Sequence, residues 1–313
     1  VDDMAQGAFN FPLPLSPLGE NTSLLELYHG PTLSFKDFGA RFLAECLSRQ
    51  ALEKPMTMMV ATSGDTGSAV AAAFHQKPNI KVVVLFPDGQ ISKRQEHQIS
   101  CWGDNVLALA VKGDFDDCQK IVKAALADPK WQNEMSLNTA NSINLGRLLP
   151  QVAYYAYTSH RYYMKQGQKA RFLVPSGNMG NVTACYWARE IGFPIGEVAV
   201  STNANLTIAD YLATGDYQPR VSIETLANAM DVGAPSNFVR MLEIHQHQHG
   251  LMASRITGRR FDDDETRAAI RAVKADTGYV IDPHGAVAYL AAKSWQADHP
   301  GDEMIVLETA HPS

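Results

Sequence analysis

Met56-Thr57-Met58-Met59-Val60-Ala61, followed without a break by Thr62-Ser63-Gly64-Asp65-Thr66-Gly67-Ser68, is an apolar run that gives way to small and hydroxylated residues. The run has the length of a strand and lacks polar alternation, which suits burial on both faces. Residues 68–75 then carry apolar side chains at helical spacing. A strand that hands over to a helix through small polar residues is the βα unit of a parallel sheet. The same alternation continues outward, with strands predicted at 80–86 and 106–111 and helices at 93–101 and 115–126. Beyond it come a short strand at 135–139 and a long helix over 144–164. Further strands are expected at 172–175, 198–201, 279–281 and 304–307, with helices at 182–191, 263–275 and 286–295. Before the quoted stretch, residues 24–28 read as a strand and 37–50 as a helix. Residues 202–260, punctuated by Gly and Pro, are the least legible part, and no internal repeat or low-complexity tract is present.

The 313 residues, 45% hydrophobic and 19% charged, are enough for one large core or two smaller ones, and two domains are expected. The net charge of −6 comes from interspersed signs with no basic stripe, so neither nucleic acid nor a membrane surface is an implied partner. Cys46, Cys101, Cys118 and Cys185 lie far apart without a CxxC pair, which argues against a disulfide framework and a zinc knuckle. A reducing cytoplasmic setting is expected. No apolar run approaches the roughly 20 residues that span a bilayer, and no basic-then-apolar leader opens the chain.

Chemistry is concentrated at four places. In His29-Gly30-Pro31-Thr32-Leu33-Ser34-Phe35-Lys36-Asp37-Phe38-Gly39, Lys36 falls between two phenylalanines at a helix start. The helix dipole and the apolar surround both disfavour its ammonium, and a neutral amine is the nucleophile that a Schiff base needs. A charged lysine snorkelling past the phenylalanines is the alternative. Pro175-Ser176-Gly177-Asn178-Met179-Gly180-Asn181 links a strand to a helix. Its two glycines allow positive backbone dihedrals that aim N–H groups into one concavity, a cradle for a small-molecule phosphate. It lacks the Lys-Ser/Thr of a nucleotide P-loop and the third glycine of the dinucleotide fingerprint, and a capped glycine-rich turn is the alternative. The junction 61–68 concentrates hydroxyls and backbone donors fit for a carboxylate. In 138–147, Asn144 and Arg147 share a helix face, and the guanidinium fork suits phosphate oxygens. Either of these last two, taken alone, also reads as capping.

The lysine segment, Thr62-Ser63-Gly64-Asp65-Thr66-Gly67, Asn141-Ser142-Ile143-Asn144, Ser176-Gly177-Asn178-Met179-Gly180-Asn181 and Leu307-Glu308-Thr309-Ala310-His311-Pro312 together closely resemble threonine synthase. The resemblance runs in order from about residue 20 to the end. It implies an α/β fold of two doubly wound domains with mainly parallel sheets, the fold type II (tryptophan synthase beta-like) architecture of pyridoxal 5'-phosphate enzymes. Residues 1–52 and 141–313 would form a larger cofactor-binding domain, and 53–140 a smaller inserted one. By the same resemblance, Lys36 carries the cofactor as a Schiff base and serves as the catalytic base. Gly177, Asn178, Met179, Gly180 and Asn181 hold the cofactor phosphate, and the Thr309 hydroxyl faces the pyridine nitrogen. The implied activity is a carbon–oxygen lyase reaction in threonine biosynthesis, turning O-phospho-L-homoserine and water into L-threonine and phosphate. Ser142, Asn144 and Arg147 would bind the substrate phosphate, and Ser63, Asp65 and Thr66 its carboxylate. The family's further N-terminal segment, before the match to Phe9-Asn10-Phe11-Pro12, and its C-terminal extension beyond His311-Pro312 are not present in the sequence.

Two other readings stay open on the residues: a serine or threonine dehydratase of the same cofactor class, which needs no second phosphate site, and a non-catalytic phosphate-binding homologue. His245 and His249 fall at helical spacing but lack a carboxylate or cysteine partner, so no metal is expected. Asp262 to Glu265 reads as a favourable acidic helix start, the tyrosines at 154, 155, 157, 162 and 163 as packing, and His284 in Asp282-Pro283-His284-Gly285 has no assignable role.

Overall fold

The run at 56–61 folds as an inner strand of a four-stranded sheet, in the order Val106–Val111, Ile80–Pro87, Met56–Ala61, Leu137–Thr139. The computed structural model describes residues 2–50 and 54–313. All pairings in this sheet are parallel, with Val60 opposite Val84 and Met59 opposite Thr139. Met58, Val60, Val82 and Val84 face the helices Lys36–Ser48 and Asp65–Phe74, whereas Met59, Ala61 and Leu85 face Phe115–Ala127. Burial on both faces is why the strand shows no polar alternation.

The second sheet has six strands, ordered Leu15–Gly19, Thr22–Glu26, Met304–Glu308, Ala170–Pro175, Ile195–Thr202, Ile256–Arg260. Only the first pair is antiparallel. Leu24, Leu173, Ala199 and Val306 bury one face under the helices Asp263–Thr277 and Pro283–Asp298, the second of which contributes Ala286, Ala288, Ala291 and Ala292. Those small side chains let the helix axis lie close to the sheet.

Contacts divide the chain into two units, Val1–Pro12 with Gly30–Pro150 and Leu13–His29 with Gln151–Ser313. The division differs from the one read in the sequence, where residues 1–12, 30–50 and 141–150 belong to the larger domain; the boundary expected at 52/53 lies outside the described residues. The helix Lys36–Ser48 groups with the smaller sheet because it packs on Asp65–Phe74 and on Leu145–Leu148. Gly39 permits the second contact, since a Cβ there would lie 2.3 Å from the Arg147 carbonyl oxygen.

Most predicted elements appear with small shifts, and two do not. The helix expected over 144–164 is interrupted, as Leu145–Leu148, a 3-10 turn at Leu149–Gln151 and Val152–Gln166, because Pro150 lacks the N–H that a continuous helix requires. The strand expected at 279–281 is irregular chain. Just beyond it the Asp282 N–H donates to the Glu308 carboxyl at 2.7 Å and not to a neighbouring strand. Within the poorly legible stretch, Asp231 ties an irregular segment to the end of strand Ile195–Thr202. Its Oδ1 accepts from Asn203 Nδ2 and Thr225 Oγ1, both at 2.7 Å, and its Oδ2 from the Thr225 N–H at 3.0 Å.

Two predictions follow from packing. Gly39→Ala forces a methyl into a backbone oxygen and is expected to cost about 2 kcal/mol or more, seen as a lower urea midpoint; an unchanged midpoint would contradict the close approach. Burial pushes the Asp231 carboxyl up to about 6, so the folded state binds its proton more readily than the unfolded chain does at about 4. The resulting stability is present below the unfolded value and is lost as pH rises toward 6. Thermal melts across that window should therefore slope less steeply downward in Asp231→Asn, and an identical slope would count against it.

Candidate active site

Lys36 is the first residue of the helix Lys36–Ser48, with Phe35 preceding it and no side chain capping the helix. Its Nζ donates to Asp65 Oδ2 at 2.9 Å and sits 4.8 Å from the centre of the Phe35 ring. Both partners of the ion pair are mostly buried, the side chains being 12% and 17% exposed. To the helix dipole and the apolar surround read in the sequence, the structure adds the Asp65 carboxylate as a counter-charge beside the amine. The local window held only the helix dipole and two aromatic rings, whereas the carboxylate arrives from 29 residues further along. The turn before Lys36 is fixed by Asp37, which is fully buried and accepts from the Thr32 N–H at 2.9 Å and the Thr32 hydroxyl at 2.8 Å. Burial pushes the Asp37 carboxyl up to about 6, against the pull of these two bonds. Gly30 is required here, because a Cβ would fall 2.4 Å from Asp37 Oδ2.

In the same unit, strands Met56–Ala61 and Leu137–Thr139 are parallel neighbours, so the segments that follow them emerge on one sheet edge. Asn141 joins the two ends, its Nδ2 donating to the Ala61 carbonyl at 2.7 Å and its Oδ1 accepting the Ala61 N–H at 3.2 Å. Thr62 organises the first turn of Asp65–Phe74, with its Oγ1 accepting from the N–H groups of Gly64 at 3.0 Å and Gly67 at 2.8 Å. Ser63 is exposed beside it, and Asp65 and Thr66 are half-buried in the first helical turn. Asn144 is the cap of Leu145–Leu148, accepting from Gly146 N at 2.9 Å and donating to Thr139 O at 2.7 Å. Arg147, expected to offer a guanidinium fork, is 3% exposed and donates through Nη1 to the Ala140 carbonyl at 2.7 Å. Burial pulls its pKa down to about 10, with the Asp37 charge opposing the shift. Ser142 is half-buried in the intervening turn. Capping thus accounts for the Asn144 side chain, and Arg147 braces the turn.

In the other unit, the loop 176–179 joins Ala170–Pro175 to the helix Gly180–Glu190. The expected glycine dihedrals are not the device used. The left-handed residue is Met179, at φ +61°, and Gly177 is needed for a close approach, because a Cβ would meet Met230 Cα at 2.8 Å. The loop is held from outside by Asn178, whose Oδ1 accepts from the Ser236 N–H and hydroxyl, each at 2.9 Å. Asn181 is 6% exposed, and its Oδ1 accepts from the Tyr154 and Tyr155 hydroxyls at 2.6 and 2.7 Å. These two tyrosines, read in the sequence as packing, fix the amide so that its Nδ2 is left buried with no partner among the described residues. A first helical turn also leaves its N–H groups unpaired. An unsatisfied amide donor in that turn fits the phosphate of pyridoxal phosphate.

Thr309 is 5% exposed and directly follows Met304–Glu308. That strand runs parallel to Ala170–Pro175 with Val306 opposite Leu173, so Thr309 and Ser176 leave the sheet at the same edge. Glu308 is fully buried, and burial together with the nearby Asp282 charge pushes its carboxyl well up. His284, without a role in the sequence, has one here. Its Nε2 accepts the Ala229 N–H at 3.2 Å and its Nδ1 bonds Asp282 Oδ1 at 2.5 Å, linking the start of helix Pro283–Asp298 to the turn Asn228–Met230. His245 and His249 point to different partners, Met241 O and Leu212 O.

A profile of the pyridoxal-phosphate dependent enzyme family matches residues 12–309. The threonine synthase of Haemophilus influenzae is 42% identical over 314 residues, covering 100% of this chain and 73% of the relative. The crystal structure of threonine synthase from Escherichia coli superposes with a TM-score of 0.89 at 40% identity, over 99% of this chain and 72% of that one. That of the threonine synthase from Brucella melitensis with bound pyridoxal phosphate gives 0.90 at 33% identity, over 99% and 73%. With these matches along nearly its whole length, the chain belongs to the threonine synthase family of pyridoxal-phosphate-dependent enzymes.

Proposed function

We propose that the chain turns O-phospho-L-homoserine and water into L-threonine and phosphate. Lys36 carries pyridoxal 5'-phosphate, and the loop and helix start formed by Gly177, Asn178, Met179, Gly180 and Asn181 hold its phosphate. The observation that carries the reading is the buried Asn181 amide donor, fixed by two tyrosine hydroxyls and lacking a partner among the described residues at a helix N-terminus. When bound, the cofactor supplies an electron sink conjugated to the amino-bearing carbon of the substrate. Thr309 offers the ring nitrogen a neutral hydroxyl, which does not hold a proton there as a carboxylate would.

Lys36 takes a proton from Cα and moves protons at Cα and Cβ, as a positioned amine can. Ser63 and Thr66, with the backbone N–H groups of the first turn of Asp65–Phe74, receive the substrate carboxylate. The turn 141–147 receives the substrate phosphate through Ser142. Asn144 and Arg147 keep it in shape through their bonds to Gly146, Thr139 and Ala140, and the guanidinium adds positive charge where the leaving group gains negative charge. The four dispersed, unpaired cysteines suit action in the cytoplasm.

Lys36→Ala is expected to abolish the visible absorption of covalently held cofactor and to slow turnover by about 100- to 10,000-fold. Near-normal turnover in that variant would remove Lys36 from the chemistry. Asn181→Ala should weaken cofactor affinity by about tenfold, from the loss of one charge-assisted bond, measured by fluorescence titration; an unchanged affinity would place the phosphate elsewhere. With the unaltered protein, phosphate release and threonine formation from O-phospho-L-homoserine are expected. Deamination of L-serine without phosphate release from phosphohomoserine would favour a dehydratase.

A further inference from the structure

Gln95 lies outside every segment that the sequence marks as functional. Its Nε2 nevertheless donates to Asp65 Oδ1 at 2.9 Å, while Lys36 Nζ donates to Asp65 Oδ2 at 2.9 Å. Gln95 is itself held, because its Oε1 accepts from the Ser92 N–H and hydroxyl, each at 3.2 Å, in the capping box of the helix Lys93–Ser100. Space for it is made by Gly64, which stands at φ +142°, and where a Cβ would meet Gln95 Nε2 at 2.3 Å. One carboxylate therefore has a fixed neutral donor on one oxygen and the lysine amine on the other. Turning toward either partner would break the bond to the other. Such a carboxylate is poorly suited to receive a substrate carboxylate, whose charge it would repel.

We propose that Asp65, oriented by Gln95, is a catalytic residue that seats the Lys36 amine whenever that amine is not covalently engaged. Gln95 is a positioning residue acting through it. A lysine side chain released from a covalent bond has four rotatable bonds to reorder. Asp65 supplies the counter-charge and fixes Nζ in place, so the amine is found where it left. The assignment rests on Lys36 being the lysine that carries the cofactor.

The test labels the protein, freed of cofactor, with a trace of acetic anhydride at constant pH and reads Lys36 and Lys77 by peptide mass spectrometry. Lys77 pairs with Glu45 at 2.6 Å and serves as the internal reference. Asp65→Asn removes the charge but keeps the shape, and it should raise Lys36 labelling relative to Lys77 by about tenfold or more. Gln95→Ala, which frees the carboxylate to turn, should give a smaller rise, and Asp65→Glu should stay nearer the unaltered chain. An unchanged Lys36 to Lys77 ratio in Asp65→Asn and Gln95→Ala overturns the proposal. If Asp65→Asn does not fold, as circular dichroism would show, Gln95→Ala alone decides, with an unchanged ratio again overturning it. Labelling needs no cofactor, so an error in the cofactor assignment shows separately, as cofactor bound to a different lysine.

Discussion

A parallel strand delivers its chain to a helix on one edge of the sheet, so the N–H groups that each first helical turn leaves unpaired collect along that edge. Every segment given a chemical role here follows from this constraint or lies against it. In one unit, Met56–Ala61 and Leu137–Thr139 release the turns at 62–66 and 140–147 side by side, tied by Asn141. In the other, Ala170–Pro175 and Met304–Glu308 release the loop at 176–181 and Thr309. Donors for anions are thus supplied by backbone geometry before any charged side chain is considered.

The charged groups then divide by task. Buried Asp37 braces the turn that leads into Lys36, and buried Glu308 accepts the Asp282 N–H at the end of the strand that precedes Thr309. Burial raises the pKa of both carboxyls, and each is bonded to the chain that it braces. Asp65 is different, since it is partly exposed and its partner is the amine of Lys36, the lysine proposed to carry the cofactor. The loop and helix start at 177–181, proposed above to hold the cofactor phosphate, carry neutral side chains alone, among them an asparagine amide whose orientation two tyrosines dictate.

Much of this was legible in the chain. The apolar runs located eight of the ten strands because parallel strands buried on both faces carry continuous hydrophobic signal, whereas Leu15–Gly19, an edge strand with Ser16, Pro17 and Gly19, carries almost none. Ile256–Arg260, within the stretch left unread, was likewise not assigned. The break at Pro150 was visible, yet the helical periodicity on either side of it was read through as one element. At the site, residue types and order sufficed to single out Lys36, Thr62 to Gly67, Asn141 to Asn144 and residues 176–181. Long-range pairings were not legible: the Asp65 carboxylate at Lys36, Gln95 at Asp65 and the tyrosine pair at Asn181 each join residues 26 to 30 positions apart. Arg147, whose guanidinium fork suggested phosphate binding, is buried and bonds the Ala140 carbonyl, a contact that the sequence did not reveal.

The central assignment is that a single amine, that of Lys36, carries the cofactor. The most direct measurement is borohydride reduction of the cofactor-loaded protein followed by peptide mapping. A pyridoxyl group on Lys36 and on no other lysine is the result expected. A pyridoxyl group on a different lysine, or none in protein that shows the bound cofactor's absorption, would contradict the assignment.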